Sequence, residues 1–265
     1  MKKFISLLLS GSIVLMSYFV ATPTSISAVE NENYVYGDGH YETIEEFNES
    51  INLNLSNSEI EKSSIPSAEL LSVIPSSYDI STNPSTSLYF PDIETQGAIG
   101  SCSGFATTYY QFTYEVNKLK GEATTYNNTY SPKWTYNYIN GGADNGAYLS
   151  DAYNVLSNQG ALTLNDFPYL NSYSQYTYEW CSNQQKLINA LEYRVSSLQS
   201  RYVSSANDTS NLNYVKNKIS SGHVGVIWVD AKRWEIRQNS DGEYAVVQGG
   251  TNRDESDNEP GGHFM

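Results

Sequence analysis

Residues 96–108 combine the residue types that nucleophilic chemistry needs. Cys102 opens what reads as the strongest helical pattern in the chain. The unpaired N–H groups at a helix N-terminus carry partial positive charge, so they favour a thiolate, which is the reactive form of cysteine. Gln96 supplies an uncharged amide donor, and with the N–H of Cys102 it would make a two-donor oxyanion hole. The stretch contains no base, so a histidine from elsewhere must complete the site.

The helix that must present Cys102 is predicted from the spacing of apolar residues. They recur every three or four positions, which is the period of an α-helix. Gly121 follows the last of them, where a helix-ending glycine is expected. The apolar positions are Phe105, Tyr109, Phe112, Val116 and Leu119.

The order of residues in this stretch resembles the nucleophile segment of papain-like cysteine peptidases. Gln96 is followed by Gly100-Ser101-Cys102 and then by Phe105-Ala106 at the start of a long helix. Two positions depart from the pattern: Ser103 replaces a usual tryptophan or tyrosine, and Ile99 replaces a common disulfide cysteine. The resemblance is therefore to a divergent, bacterial type of the family. The alternative is that the cysteine is a small buried hydrophobic residue.

The resemblance implies an α+β fold with two lobes, a helical N-terminal lobe and a β-barrel-like C-terminal lobe that meet at a cleft. Helices are predicted in the first half of the chain, one starting at Ser131-Pro132 and one running from a Ser150 cap to Gly160, and later at 183–191 and 212–219. Strands are predicted in the second half at 193–198, and at 224–229 and 243–247, where β-branched residues recur. The motif at 74–79 resembles the start of the mature domain in this family. We therefore predict a peptidase domain over residues 74–265.

His263 is the histidine that the resemblance assigns as the catalytic base. It follows two glycines and lies 161 positions after Cys102, slightly further than usual, which an acidic insertion at 254–259 would explain. In this role His263 takes the thiol proton and later protonates the leaving amine, and the pair rests as thiolate and imidazolium. His40 precedes the domain and is assigned no role.

The orienting asparagine of the family, and the last strands of its barrel, would come after Met265. We therefore expect the sequence to be a piece of a longer reading frame whose C-terminal part is missing. A chain that truly ended here would be unstable or inactive, because open sheet edges and apolar surface would be exposed.

The glycine-rich loop 141–147 is the expected substrate-binding segment. In the family such a loop lends backbone groups to an extended peptide, which implies Asn145, Gly146 and Ala147 here. The alternative is an ordinary loop. The expected partner is a peptide or protein substrate. No cofactor is expected, and no metal site, since three scattered histidines lack ligand spacing.

Two other functions stay open. Cys102 with the later His223 resembles the NlpC/P60 peptidoglycan endopeptidases, although Ser101 stands where they usually have aspartate and the spacing is longer than theirs. His223 alternatively only begins a core strand. The other function is a non-catalytic surface or binding protein that keeps the papain-like fold.

The N-terminal residues and the tyrosine-, asparagine- and serine-rich composition indicate a secreted protein. Residues 1–28 have the pattern of a signal peptide, in which two lysines precede an apolar run. This run is short for a membrane anchor and is interrupted by serines and a glycine. Residues 29–73 are acidic and suit a pro-segment or linker, or a disordered tail, with a capping box at Thr43–Glu46. A net charge of −14 argues against nucleic-acid binding.

The two cysteines, Cys102 and Cys181, either form one disulfide or, as we prefer, stay as free thiols.

Overall fold

Helices come first and strands last in the part of the chain that the computed structural model describes. That part consists of residues 39–51, 75, 77–170, 179–196, 198, 207–231, 235–238, 244–247 and 262–265. Its elements are α1 (Ile44–Ser50), α2 (Cys102–Gly104), α3 (Thr113–Lys120), α4 (Pro132–Ile139), α5 (Leu149–Asn158), α6 (Gln184–Ala190), α7 (Thr209–Ser220), β1 (Trp228–Asp230), β2 (Glu235–Gln238), β3 (Tyr244–Val247) and β4 (Gly262–Phe264).

One continuous helix, the central helix, runs from Cys102 to Lys120 and confirms the helix predicted from apolar spacing. It consists of α2, a π-helical segment at Phe105–Phe112, and α3. The helix ends as expected at Gly121, whose φ of 68° only glycine adopts at little cost. The π-helical segment was not predicted. Such segments are rare and are frequent at functional sites.

The π-helical segment changes which face of the central helix is buried. Four of the five predicted apolar positions are buried, but Leu119 is 77% exposed, so its predicted burial is wrong. A π turn takes more residues than an α turn, so the residues after it are rotated relative to a uniform helical register. Thr113, Tyr114 and Asn117 are consequently the fully buried residues of α3.

Most buried polar side chains of the central helix are hydrogen-bonded, although the buried Ser103 hydroxyl has no partner among the described residues. The Thr107 hydroxyl donates to the Ser103 carbonyl at 2.7 Å, and the hydroxyls of Thr108 and Thr135 lie 2.5 Å apart. Asn117 donates to the Thr124 hydroxyl at 2.9 Å. Burial of these groups is tolerated because they have partners. The central helix is therefore surrounded by protein on most sides.

Helix α4 begins as predicted, with Ser131 at the N-cap position and Pro132 as the first helical residue. The hydroxyl of Ser131 makes no capping bond. A Cβ atom at Gly104 would lie 2.6 Å from the Pro132 carbonyl oxygen, so the two backbones approach closely at this point. A glycine at 104 is what allows α4 to pack against the first turns of the central helix.

Helix α5 starts two residues earlier than predicted. Tyr148 is its N-cap residue, and Ser150 lies inside the first turn instead of capping it. Both the amide and the hydroxyl of Ser150 donate to the Glu42 carboxylate, which takes the place of a local cap. The predicted end is confirmed, because the helix stops at Asn158 and Gly160 follows with a φ of 62°.

Helices α6 and α7 confirm the predictions made at 183–191 and 212–219. Asn183 caps α6 by accepting from the Lys186 amide, and Asp208 caps α7 by accepting from the Asn211 amide. The strand predicted at 193–198 is wrong for residues 193–196 and 198, which are not in a strand, while residue 197 lies outside the described residues.

The described strands form two antiparallel pairs, β1 with β4 and β2 with β3. In the first pair Val229 faces His263, and reciprocal backbone bonds between Ile227 and Met265, at 2.9 and 3.0 Å, extend it. The strand predicted at 243–247 is confirmed as β3, whereas the strand predicted at 224–229 overlaps β1 only at Trp228 and Val229. The barrel-like lobe, and with it the two-lobed fold, stays a prediction.

Residues 39–51 fold onto the helical part of the molecule. The predicted capping box at Thr43–Glu46 is confirmed, since both reciprocal bonds are present at the start of α1. Phe47 and Ile51 join the main apolar core, where the Phe47 ring meets that of Tyr153 edge-on at 6.1 Å. A disordered tail is therefore excluded for these residues.

The predicted signal peptide at 1–28 lies outside the described residues. So do residues 29–38 and 52–73 of the predicted pro-segment, and the acidic insertion at 254–259. In the parts of the chain that are described, no helix has the length and apolar character needed to cross a bilayer.

The close approach of Gly104 to α4 gives a stability prediction. In Gly104→Ala the added methyl meets the backbone oxygen of Pro132, so a helix must shift, and we expect a loss of about 1–3 kcal/mol in the free energy of unfolding. Gly225→Ala is the control, because nothing lies within 4 Å of its added methyl. Urea unfolding of the full chain measures both, and equal losses would contradict the packing argument.

Candidate functional site

Cys102 lies at the start of the central helix, as predicted, but it is buried. Ser101 occupies the N-cap position, and Cys102 is 1% exposed. Its side chain belongs to a small apolar cluster with Ala106 and Phe264. Partly buried residues that pack against this cluster are Leu149, Val226 and Trp228. The sulfur therefore has the helix position expected of a nucleophile, without direct access from solvent.

Strand β4 brings His263 to the same region. Helix α2 packs directly against β4, and Phe264 of that strand contacts the cluster that contains Cys102. Cys102 and His263 are 161 positions apart in sequence. The structure thus places the predicted nucleophile and the predicted base on two elements that pack against each other.

Burial changes the expected charge of His263. Removal of the ring from water lowers its pKa to about 4, so the imidazole is neutral near pH 7. A neutral imidazole can accept a proton. The arrangement described here nevertheless does not support the predicted resting pair of thiolate and imidazolium, because desolvation disfavours the cation.

Gln96 lies in the loop before Cys102, and its side chain turns back onto that loop. The amide Nε2 donates to the Ile99 carbonyl at 2.9 Å, which leaves the amide one further N–H. The Tyr169 hydroxyl donates to the Gln96 carbonyl at 2.6 Å and lies 2.8 Å from the Ser101 hydroxyl. Hydrogen bonds at Gln96 and at Ser101 therefore hold both ends of this loop. The predicted oxyanion role of Gln96 depends on the second N–H of its side-chain amide.

The predicted substrate-binding residues lie beside this loop. Gly146 and Ala147 are buried, whereas Asn145 is exposed. The Gly146 amide donates to the Tyr136 hydroxyl at 3.2 Å, and Ala147 packs with Tyr136 and Ile99. The glycine-rich segment therefore forms one edge of the site.

Asp144 joins these two loops and was not predicted. Its Oδ1 accepts from the Gly100 amide at 2.9 Å and from the Tyr136 hydroxyl at 2.5 Å. The glycine-rich composition around Asp144 marked a loop, but nothing in the local sequence indicated a partner 44 positions away at Gly100.

An extended piece of the chain crosses the site between its two edges. The Gly39 amide donates to the Gly262 carbonyl at 3.0 Å, and the His40 amide donates to the Ala147 carbonyl at 3.1 Å. The Trp228 indole donates to the Gly39 carbonyl at 3.0 Å. Residues 39–42, which we call the covering segment, therefore bind by their backbone to the strand that carries His263 and to the predicted substrate-binding loop.

Side chains of the covering segment add to these backbone bonds. His40 was assigned no role from the sequence, yet its Nε2 donates to the Asn145 carbonyl at 2.8 Å, and its ring lies 4.8 Å from that of Tyr148. Tyr41 meets Trp228 edge-on at 4.9 Å. The covering segment thus contacts two of the three predicted substrate-binding residues, Asn145 and Ala147, and also the neighbouring Tyr148.

His223 lies away from this site. Its Nδ1 is 3.2 Å from a carboxylate oxygen of Glu115, on the α3 part of the central helix. Glu115 is roughly 15–20 Å along that helix from Cys102, at a rise of at most about 1.5 Å per residue. The structure therefore does not bring His223 and Cys102 together.

The comparisons with known proteins leave the family undecided. No protein-family model matches the chain, and no curated protein matches it significantly.

Cys102 and Cys181, both in the described part, are not joined in a disulfide. Among the described residues no group of three or more His, Cys, Asp or Glu side chains is placed to hold a metal ion.

The lowered pKa of His263 predicts a loss of stability in acid. Between its folded value of about 4 and the ordinary value of about 6.5, the unfolded chain binds a proton that the folded chain does not. The free energy of unfolding therefore falls as the pH drops through this window. We expect a loss of about 1–2 kcal/mol between about pH 7 and about pH 5.

Urea unfolding of the wild type and of His263→Ala at both pH values measures this loss. The variant lacks the buried imidazole, so its stability should fall less between the two values. An equal fall in both proteins would assign the acid sensitivity to other groups.

Proposed function

We propose that the chain is the precursor of a secreted cysteine endopeptidase, with Cys102 as the nucleophile and His263 as the base. Residues 39–51 act in this proposal as a pro-segment, and secretion rests on the predicted signal peptide at 1–28. The papain-like family and its two-lobed fold remain part of the proposal.

The observation that carries the proposal is the extended chain bound along the site. The covering segment is held through backbone N–H and C=O groups of Gly39 and His40, by partners on both sides of it. A site that binds polypeptide backbone in this way suits an extended peptide substrate, since main-chain bonds do not depend on the side chains of the bound segment. Cys102 and the strand of His263 lie at the same place.

The residues present support a complete acyl-transfer cycle. The Cys102 sulfur attacks the scissile carbonyl while His263 takes the thiol proton. The Cys102 N–H and the second N–H of Gln96 stabilise the oxyanion. The C–N bond then breaks and His263 delivers its proton to the leaving amine. Water, deprotonated by His263, hydrolyses the thioester and regenerates the thiol and a peptide carboxylate.

In this proposal the covering segment keeps the site closed, because it contacts Trp228 and Phe264, which pack around Cys102. With residues 39–42 in place, Cys102 is 1% exposed and the imidazole of His263 is dehydrated. Displacement of the segment would admit both substrate and water. Rehydration would then raise the pKa of His263 towards its ordinary value and allow the thiolate–imidazolium pair to form.

A non-catalytic binding protein of the same fold is the second candidate. Two observations favour it: Cys102 is enclosed by apolar groups, and one amide hydrogen of Gln96 is used within its own loop. In such a protein the groove would hold a peptide without cleaving it. A cell-wall endopeptidase based on Cys102 and His223 is not favoured, because His223 lies beside Glu115 instead.

Opening of the covering segment can be tested with Gly39→Val. A Cβ at Gly39 would lie 3.0 Å from ring atoms of Phe264 and 3.3 Å from the Gly262 backbone, so valine must displace the segment. We expect iodoacetamide to alkylate Cys102 at least about tenfold faster in this variant, since a loss of about 1.4 kcal/mol in closure is a tenfold change in open population.

Gly225→Val serves as the control, because nothing lies within 4 Å of its added Cβ. Mass spectrometry of the labelled peptides separates Cys102 from Cys181. An unchanged rate at Cys102 in Gly39→Val would show that the covering segment does not limit its access.

Catalytic roles can be tested in the full Gly39→Val chain with a peptidyl epoxide, which needs both a peptide-binding groove and an activated thiolate. We expect labelling at Cys102 and hydrolysis of an unstructured protein substrate. Both should fall by about 10²–10⁴-fold in His263→Ala, which is the usual contribution of a general base. His223→Ala should retain both activities.

The pattern of results separates the candidate functions. Epoxide labelling that depends on His223 and not on His263 would support the cell-wall enzyme. Alkylation by iodoacetamide without epoxide labelling or hydrolysis would overturn the peptidase proposal and favour the binding protein.

A further inference from the structure

Four groups from three parts of the chain meet beside the nucleophile loop. The Asp144 carboxylate accepts from the Gly100 amide, and through the same oxygen it accepts from the Tyr136 hydroxyl. The Tyr136 hydroxyl in turn accepts from the Gly146 amide at 3.2 Å. A chain of three hydrogen bonds therefore links the residue two before Cys102 to the predicted substrate-binding edge.

The space around these groups is closed. A Cβ atom at Gly100 would lie 3.2 Å from the Asp144 Oδ1, 3.3 Å from the Tyr136 hydroxyl oxygen and 3.5 Å from the Gly146 nitrogen. Tyr136 is 1% exposed, and its ring packs with Ile99 and Ala147. The hydroxyl is therefore held in place by its ring, and a side chain at Gly100 would separate the groups that it joins.

The network also lies close to the sulfur. The pKa of the Tyr136 hydroxyl is raised mainly by burial, then by its bond to Asp144, and a negative charge on Cys102 raises it further. Such an effect requires Cys102 and Tyr136 to be near each other. A second tyrosine, Tyr169, holds the other side of the loop through Ser101 and the Gln96 carbonyl.

We propose that Asp144 is a positioning residue, which acts with Tyr136 to fix the nucleophile loop at Gly100 relative to the substrate-binding edge at Gly146. The proposal rests on the peptidase function put forward above. Cys102 and a bound peptide would otherwise be carried by two loops that can move independently. Small errors in the distance between reacting atoms are costly, and a misplacement of about 1 Å can lower a rate about 10²-fold.

The role assigned to Asp144 depends on one acceptor oxygen and not on its charge. Both hydrogen bonds go to Oδ1, and asparagine offers an amide oxygen at that position with two lone pairs. Asp144→Asn should therefore preserve the network, whereas Asp144→Ala removes it. Tyr136→Phe keeps the buried ring and removes only the bond to Gly146 and the donor to Asp144.

The test measures peptide hydrolysis in the full Gly39→Val chain and in the three variants built on it. We expect Asp144→Ala to lower kcat at least about tenfold with a smaller change in KM, and Asp144→Asn to recover most of kcat. Tyr136→Phe should raise KM as well, because it releases the Gly146 edge. Amide hydrogen exchange at Gly100 should be faster in Asp144→Ala and near normal in Asp144→Asn.

Asp79→Ala is the matched control. Its carboxylate likewise accepts two hydrogen bonds, from the amide and hydroxyl of Ser81, but in a turn outside the site. It should leave kcat unchanged.

If the parent chain shows no hydrolysis that depends on Cys102, the proposed function fails. If the parent is active and Asp144→Ala, folded by its near-UV circular dichroism, keeps full kcat, the positioning role is overturned. Should Asp144→Ala not fold, full kcat and KM in Tyr136→Phe would overturn it equally.

Discussion

The enclosure of the central helix is the constraint on which the rest of the described structure depends. A helix that is buried on most sides must find partners for most of its polar groups, and the threonines of this one bond to its own carbonyls or to α4. It must also let another backbone come close, which Gly104 permits at Pro132. The core therefore fixes the first turns of the helix, and the bond from the Gly100 amide to Asp144 fixes the loop that leads into Cys102.

The candidate site is built at the one end of the helix where the core gives way to loops and strand edges. Here the groups that matter are backbone amides and carbonyls, supplied by Gly100, Gly146, Ala147 and Gly262. Three of the four are glycines, which let backbones approach without a side chain between them. Backbone groups of this kind must be bonded when buried, and the covering segment, Tyr136 and Asp144 provide the bonds.

Local pattern and long-range geometry were predictable to very different degrees. The helix at Cys102, the capping box at Thr43 and the proline start of α4 each depend on a few neighbouring residues, and all three were predicted correctly. The burial of Leu119 was predicted wrongly. A π-helical segment has no local sequence signature, and it rotates every later residue of the helix relative to a uniform α-helical register.

The site itself divides in the same way. Cys102 was found from its own stretch, whereas His263 was chosen through a resemblance, because no periodicity relates positions so far apart. The bonds from Gly39 to Gly262 and from Gly100 to Asp144 join residues 223 and 44 positions apart. Each uses a backbone amide, which every residue except proline has, so the sequence around it carries no mark of the partner.

In the proposed precursor, the covering segment would couple two properties that are usually adjusted separately. Access to the Cys102 sulfur and the proton affinity of His263 would both depend on whether the segment is bound. When the segment is bound, the sulfur is enclosed and the imidazole is neutral. The same displacement that opens a path for substrate also hydrates the ring and favours its protonated form. Steric access and chemical activation of the thiol would then arise from one movement, so a partly opened site would gain both together.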